Sequence, residues 1–94
     1  MSKFKFDGRY FHGPNGTKVG EFDGKYIRDS RGSRVGEIDG TYFKDSRGSR
    51  VGEFDGTYIK DAHGARIGTI NDVKKYIDGI GGEILAALWV FFVR

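Results

Sequence analysis

Four tyrosines recur at a constant interval, each with a cationic or imidazole side chain two residues on: Tyr10 with His12, Tyr26 with Arg28, Tyr42 with Lys44, and Tyr58 with Lys60. In an extended strand residues i and i+2 share a face, so each pair sets an aromatic ring beside a cation. Exposed and contiguous, such faces would stack bases and neutralise phosphates, as single-stranded nucleic-acid binders do. Tyr26, Arg28, Tyr42, Lys44, Tyr58 and Lys60 therefore form the candidate binding face. Against it, Glu21, Glu37 and Glu53 fall opposite the tyrosines and repel phosphate. Tyr is also a good strand residue in its own right. The structural reading of these residues is preferred, with polyanion binding as the alternative.

Other chemistry is sparse. The two histidines have no Ser, Cys or second His at a useful spacing; His12 occupies the slot of Arg28, Lys44 and Lys60, and His63 sits in a turn. The absence of Cys removes thiolate nucleophiles, thiolate zinc sites and disulfides together. Asp29, Asp45 and Asp61 are expected to serve as turn acceptors and to pair across their turns with Arg34, Arg50 and Arg66. No glycine-rich turn leads into a helix with the spacing of a phosphate-binding loop. Equal copies at equal spacing suit a scaffold better than an asymmetric active site. No catalytic, cofactor or metal residue is assigned, and a non-catalytic chain is expected. A net charge of +3 over 94 residues is compatible with an anionic partner but far from a dedicated basic tail.

The elements that must position these residues are set by a turn signal every eight residues. Asp7-Gly8, Asp23-Gly24, Asp39-Gly40 and Asp55-Gly56 alternate with Asn15-Gly16, Arg31-Gly32, Arg47-Gly48 and His63-Gly64, so the true period is 16. Turns this close together call for short antiparallel strands, with Gly supplying positive φ. For Ile38-Asp39-Gly40-Thr41 a type I′ turn is expected, which sets Glu37 beside Tyr42 and Gly36 across from Phe43. Gly36 then makes room for Phe43 or a neighbouring strand, and Gly20, Gly52 and Gly68 do the same elsewhere; bulges are the alternative reason for these glycines. The Arg-Gly turns suit a type I turn with Gly48 left-handed in a bulge, giving three-residue loops. A bulge in every such turn predicts hairpins that twist apart like petals into a closed, roughly fourfold arrangement, since one flat meander could not keep its faces.

The unit Gly-x-Tyr-Ile/Phe-x-Asp-x-x-Gly-x-Arg-Val-Gly, repeated across residues 3–70, resembles the bacterial four-fold beta-flower domain. That resemblance implies a pseudo-fourfold set of hairpins and brings no established activity with it. The Tyr-x-x-Asp-x-x-Gly-x-Arg-Val core is also similar to the YD repeats of large bacterial shell-forming toxins, whose arrays are far longer. The Tyr and Gly spacing is similar to membrane-occupation repeats, whose period exceeds 16.

From Asn71 the periodicity becomes helical, with Val73, Ile77, Ile80, Ile84, Leu88 and Phe92 on one stripe. Asn71 or Asp72 is expected to cap the start, Lys74 and Lys75 to face solvent, and Gly79, Gly81 and Gly82 to break the helix. Residues 84–93 are apolar all round and must be covered on every side. They form either a core plug, an oligomer interface through Leu85, Leu88, Trp89, Phe91 and Phe92, or an insertion into a membrane interface. Ten helical residues reach only about 15 Å, half a bilayer's hydrocarbon core. The start, Met1 to Asp7, lacks an apolar h-region, so a cytoplasmic location is expected. The reading is an all-β domain of four 16-residue hairpin repeats over 1–70 with an apolar helical segment over 71–94. Its expected role is an interaction or scaffold module, homo-oligomeric through the tail, with no cofactor, no transmembrane span, and nucleic acid as the alternative partner.

Overall fold

The computed structural model describes residues 3–93; Met1 and Ser2, on which the expectation of no secretory signal partly rests, and Arg94 lie outside the described residues. The repeats form nine short strands: Phe4–Phe6 (β1), Tyr10–His12 (β2), Lys18–Phe22 (β3), Tyr26–Asp29 (β4), Arg34–Asp39 (β5), Tyr42–Asp45 (β6), Arg50–Phe54 (β7), Tyr58–Asp61 (β8) and Arg66–Thr69 (β9). A helix, Ile70–Tyr76 (α1), leads to a two-residue strand, Ile77–Asp78 (β10), and then to a second helix, Gly82–Leu88 (α2), which runs into a π-helical turn at Trp89–Val93. All ten strands belong to one sheet, a meander from β1 to β9 with β10 added in parallel beside β1.

The Arg-Gly loops are bulged as expected. In Asp45-Ser46-Arg47-Gly48-Ser49 the Asp45 N–H donates to Ser49 O at 2.8 Å and the Gly48 N–H to Asp45 O at 3.0 Å, with Gly48 at φ 85°. The Asp-Gly turns are not type I′. No described residue other than Gly has positive φ, so Asp39 lies outside the turn, and Gly40-Thr41 are its central pair. Gly first and negative φ second is the pattern of a type II′ turn. In three of these turns the cause is visible, because the Asp carboxylate reaches forward: Asp55 Oδ1 accepts from Thr57 N at 2.9 Å and Tyr58 N at 2.8 Å. Asp7 and Asp23 do the same. The turn centre moves by one residue and each partner therefore by two, so Ile38 faces Phe43 and Gly36 faces Asp45.

Bulged loops therefore do not part the hairpins, and consecutive hairpins are hydrogen-bonded into one sheet. Each slip is absorbed beside its turn, between Ile27 and Arg28 and between Phe43 and Lys44. There Val35 and Gly36 both turn toward the core, and the faces are kept beyond them.

A flat ten-stranded sheet would be about 43 Å wide at the usual strand spacing. The molecule measures 33 × 27 × 18 Å, so the sheet must curl. Its inner face carries Phe11, Ile27, Phe43 and Ile59, all fully buried. Each sits across from a glycine of the next strand: Gly20, Gly36, Gly52 and Gly68. Into that hollow goes the apolar tail. A Cβ on Gly20 would lie 2.8 Å from Phe92, one on Gly68 would lie 2.9 Å from Trp89, and one on Gly36 would collide with the ring of Phe91. Gly20, Gly36 and Gly68 thus make room for the tail, Gly52 lies against Phe43 instead, and bulges sit beside them as well.

α1 starts one residue before the expected cap. Thr69 is the N-cap: its hydroxyl accepts from Asp72 N at 3.2 Å, while Asp72 Oδ2 accepts from Thr69 N at 3.0 Å. This reciprocal box satisfies two donors that the helix start leaves open. α1 packs on both β9 and β10, with Val73 fully buried, and so bridges the two margins of the sheet. Lys74 and Lys75 are exposed as expected. The single helical stripe is corrected: Ile77 is in β10, paired with Phe4, and Ile80 is 86% exposed.

Candidate functional site

The outer face of the sheet carries the tyrosines, and the loop bulges decide what surrounds them. Tyr10, Tyr26 and Tyr42 pair with Glu21, Glu37 and Glu53 of the following strand, so the expected Tyr–Glu neighbours are found across the Arg-Gly hairpins rather than the Asp-Gly ones. One step nearer the loop, the bulge sets two cations directly opposite each other. Arg28 faces Arg34, Lys44 faces Arg50, and Lys60 faces Arg66. Like charges in that position repel and cost stability.

The members of each pair turn apart. Arg28 reaches Asp23 at 3.1 Å, Lys44 reaches Asp39 at 2.8 Å, and Lys60 reaches Asp55 at 3.8 Å, toward the Asp-Gly end, while Arg28 also donates to the Gly32 carbonyl of its loop at 3.2 Å. Arg34, Arg50 and Arg66 lie over the rings of Tyr26, Tyr42 and Tyr58 at 4.5, 3.8 and 4.0 Å, and Lys18 lies over Tyr10 at 4.9 Å. The structure thus brings Tyr26, Arg28, Tyr42, Lys44, Tyr58 and Lys60 onto one face. The nearest cation over the rings of Tyr26, Tyr42 and Tyr58, however, is the arginine that follows the loop.

The expected cross-turn ion pairs are replaced for Asp29 and Asp45. Their carboxylates accept backbone N–H groups inside the loop, Asp29 from Arg31 and Ser33, and Asp45 from Arg47 and Ser49, at 2.9–3.0 Å. Asp61 makes the same loop bonds to His63 N and Ala65 N. Loop closure holds Asp29 and Asp45, leaving Arg34 and Arg50 to the rings.

Electrostatics at the Asp-Gly end follow from these contacts. The N–H groups of Tyr10, Tyr26 and Tyr58 hold Asp7, Asp23 and Asp55 below the ordinary carboxylate range. Lys44 does so for Asp39 through a side-chain hydrogen bond, and is raised in turn. Proximity of Arg50 works against that rise. None of these groups is buried, and none has the environment of a catalytic acid or base.

Elsewhere the surface offers little. His63 is at an exposed loop tip, and His12 is half-buried across from Lys18. Among the described residues no group of His, Cys, Asp and Glu could hold a metal ion. The tail residues are taken up by their own chain: Leu85 and Leu88 are fully buried, Trp89 is 8% exposed, and Phe91 and Phe92 are half-buried against Gly36 and Gly20. Among the described tail residues, Ile84 and Val90 to Val93 are half-buried and would be what an interface through the tail has to work with. No helix among the described residues is long and apolar enough to cross a membrane.

The Tyr–Arg stacks are the feature that sequence reasoning missed. The signal was present in the bulged three-residue loop, which advances the pairing by one and carries Arg34 toward Tyr26. Set against known proteins, the chain matches no family model, no curated protein and no solved structure.

Proposed function

We propose that the chain is a non-catalytic interaction module whose working surface is the outer face of the sheet at its Arg-Gly end. The observation that carries this reading is the repeated cation pair. Arg28 with Arg34, Lys44 with Arg50, and Lys60 with Arg66 oppose like charges across strands, an arrangement that works against folding. A surface that sets like charges together three times over is suited to a partner that neutralises them. The four units act as equivalent copies around an axis, as in the beta-flower domains that the repeat resembles. The recurrence of Phe11/Gly20, Ile27/Gly36, Phe43/Gly52 and Ile59/Gly68 across the hairpins supports that arrangement.

Stability measurements test the reading. Exposed cation–π contacts contribute about 0.5–1 kcal/mol each, close to what relief of like-charge repulsion returns. Arg34→Gln combined with Arg50→Gln should therefore leave urea stability within about 1 kcal/mol of the parent, and make it less dependent on salt. A loss above about 2 kcal/mol would mark the arginines as structural and remove the basis for a binding surface.

A further inference from the structure

The two ends of the sheet treat their cations differently. At the Asp-Gly end Arg28, Lys44 and Lys60 each have an aspartate, and Glu21 and Glu37 are held by Arg9 at 3.4 Å and Lys25 at 3.7 Å. At the Arg-Gly end, Arg31, Arg34, Arg47 and Arg50 have no carboxylate within 4.0 Å among the described residues. The nearest acids in sequence, Asp29 and Asp45, have their carboxylates turned to backbone N–H groups of the loops. Arg31, Arg34, Arg47 and Arg50 are all exposed.

We propose that this row of arginines binds single-stranded nucleic acid, a ligand class that rests on the binding-surface reading above. Two kinds of contact are provided. Arg31 and Arg47, at the loop tips, offer N–H donors to phosphate oxygens. Arg34 and Arg50 lie over Tyr26 and Tyr42 at 4.5 and 3.8 Å, which fixes each guanidinium as a planar platform whose edge N–H groups donate to phosphate as well. Bases splayed out of a single strand stack on such planes, whereas bases within a duplex are not free to do so. The shape of the surface points the same way. Successive stacks sit two strands apart, about 10 Å, along the outside of a curled sheet. A flexible strand can follow that convex row, while a rigid duplex or a flat membrane touches only part of it.

Fluorescence anisotropy of a labelled 12-nucleotide oligothymidylate, titrated with the full-length chain, tests the proposal. About micromolar affinity is expected at 50 mM salt, falling with a log–log slope of about −3, since each phosphate contact on a single strand contributes about −0.7. Arg34→Gln with Arg50→Gln should weaken binding about tenfold or more and make the slope shallower by about 1.4. Arg34→Lys with Arg50→Lys keeps the charge but loses the plane, and should fall between that pair and the parent. Lys74→Gln with Lys75→Gln, exposed cations of α1 outside the repeated cation pairs, should change affinity by less than about twofold.

The proposal is overturned if the parent binds no tighter than about 100 μM at 50 mM salt, the weak limit of non-specific binding. Equal weakening by the Lys74/Lys75 pair overturns it too, as does equal affinity for a duplex or for phosphatidylserine vesicles. Trp89 emission reports folding of every variant. An unfolded glutamine pair would sink the binding-surface reading itself, and the lysine pair would then carry the ligand test. A folded glutamine pair with unchanged affinity would sink only the ligand class.

Discussion

At Gly36 an added Cβ would collide with the ring of Phe91 and lie 2.8 Å from the Lys44 carbonyl oxygen. Gly52 shares the second problem, 2.8 Å from the Lys60 carbonyl, but its nearest ring atom, on Phe43, is at an ordinary 3.6 Å. Comparing the two therefore isolates the tail ring. Overpacking typically costs about 1–3 kcal/mol, so Gly36→Ala should destabilise by about that much more than Gly52→Ala in urea unfolding. Equal losses would mean that Phe91 is not seated on Gly36. Because each recurs at one place in its unit, the sequence offered two reasons for these glycines, room for a large side chain or a bulge. It did not show that the rings come from residues 89–92, since nothing local records where a distant tail docks.

Among the elements, the loops were the most legible, because Asp-x-Arg-Gly has few backbone solutions and the bulged three-residue loop is one of them. The Asp-Gly turns misled by one residue: Asp tolerates positive φ, but at three of the four its carboxylate gains more by accepting two N–H groups from outside the turn. That single step decides which residues face each other across the Asp-Gly turns, setting Glu37 against Lys44, whereas the cation pairs follow from the bulged loops. At the other end of the chain, α1 is seven residues long and leans on its capping box. Thr69→Ala removes the hydroxyl that accepts from Asp72 and should cost about 1 kcal/mol, read as a lower urea midpoint with an unchanged slope. No loss would mean that packing of Val73 alone holds the seam between β9 and β10. The two-residue strand β10 was not legible, because Ile77 also fits the helical stripe and only its parallel pairing with Phe4 makes it a strand.

In the whole molecule, one curled sheet and one apolar tail complete each other. β3 and β9 would lie about 29 Å apart in a flat sheet, yet Phe92 touches Gly20 of β3 and Trp89, three residues earlier, touches Gly68 of β9. The sheet can present its polar face outward because the tail fills its inside. Full burial of side chains such as Leu85 and Leu88 contributes about 1.5–3 kcal/mol each, a large share of the 5–15 kcal/mol that holds a domain of this kind. The sequence required that residues 84–93 be covered on all sides, and a plug was among the solutions; choosing it needed the width of the sheet. The only Trp in the chain reports on that choice directly. Emission of Trp89 in the intact protein, measured with and without acrylamide, should be blue-shifted and poorly quenched, and should turn red-shifted and accessible only as the β signal is lost in urea. Red-shifted, freely quenched emission from Trp89 while the β signal remains intact would contradict the account, because it would place the tail outside the sheet that is built around it.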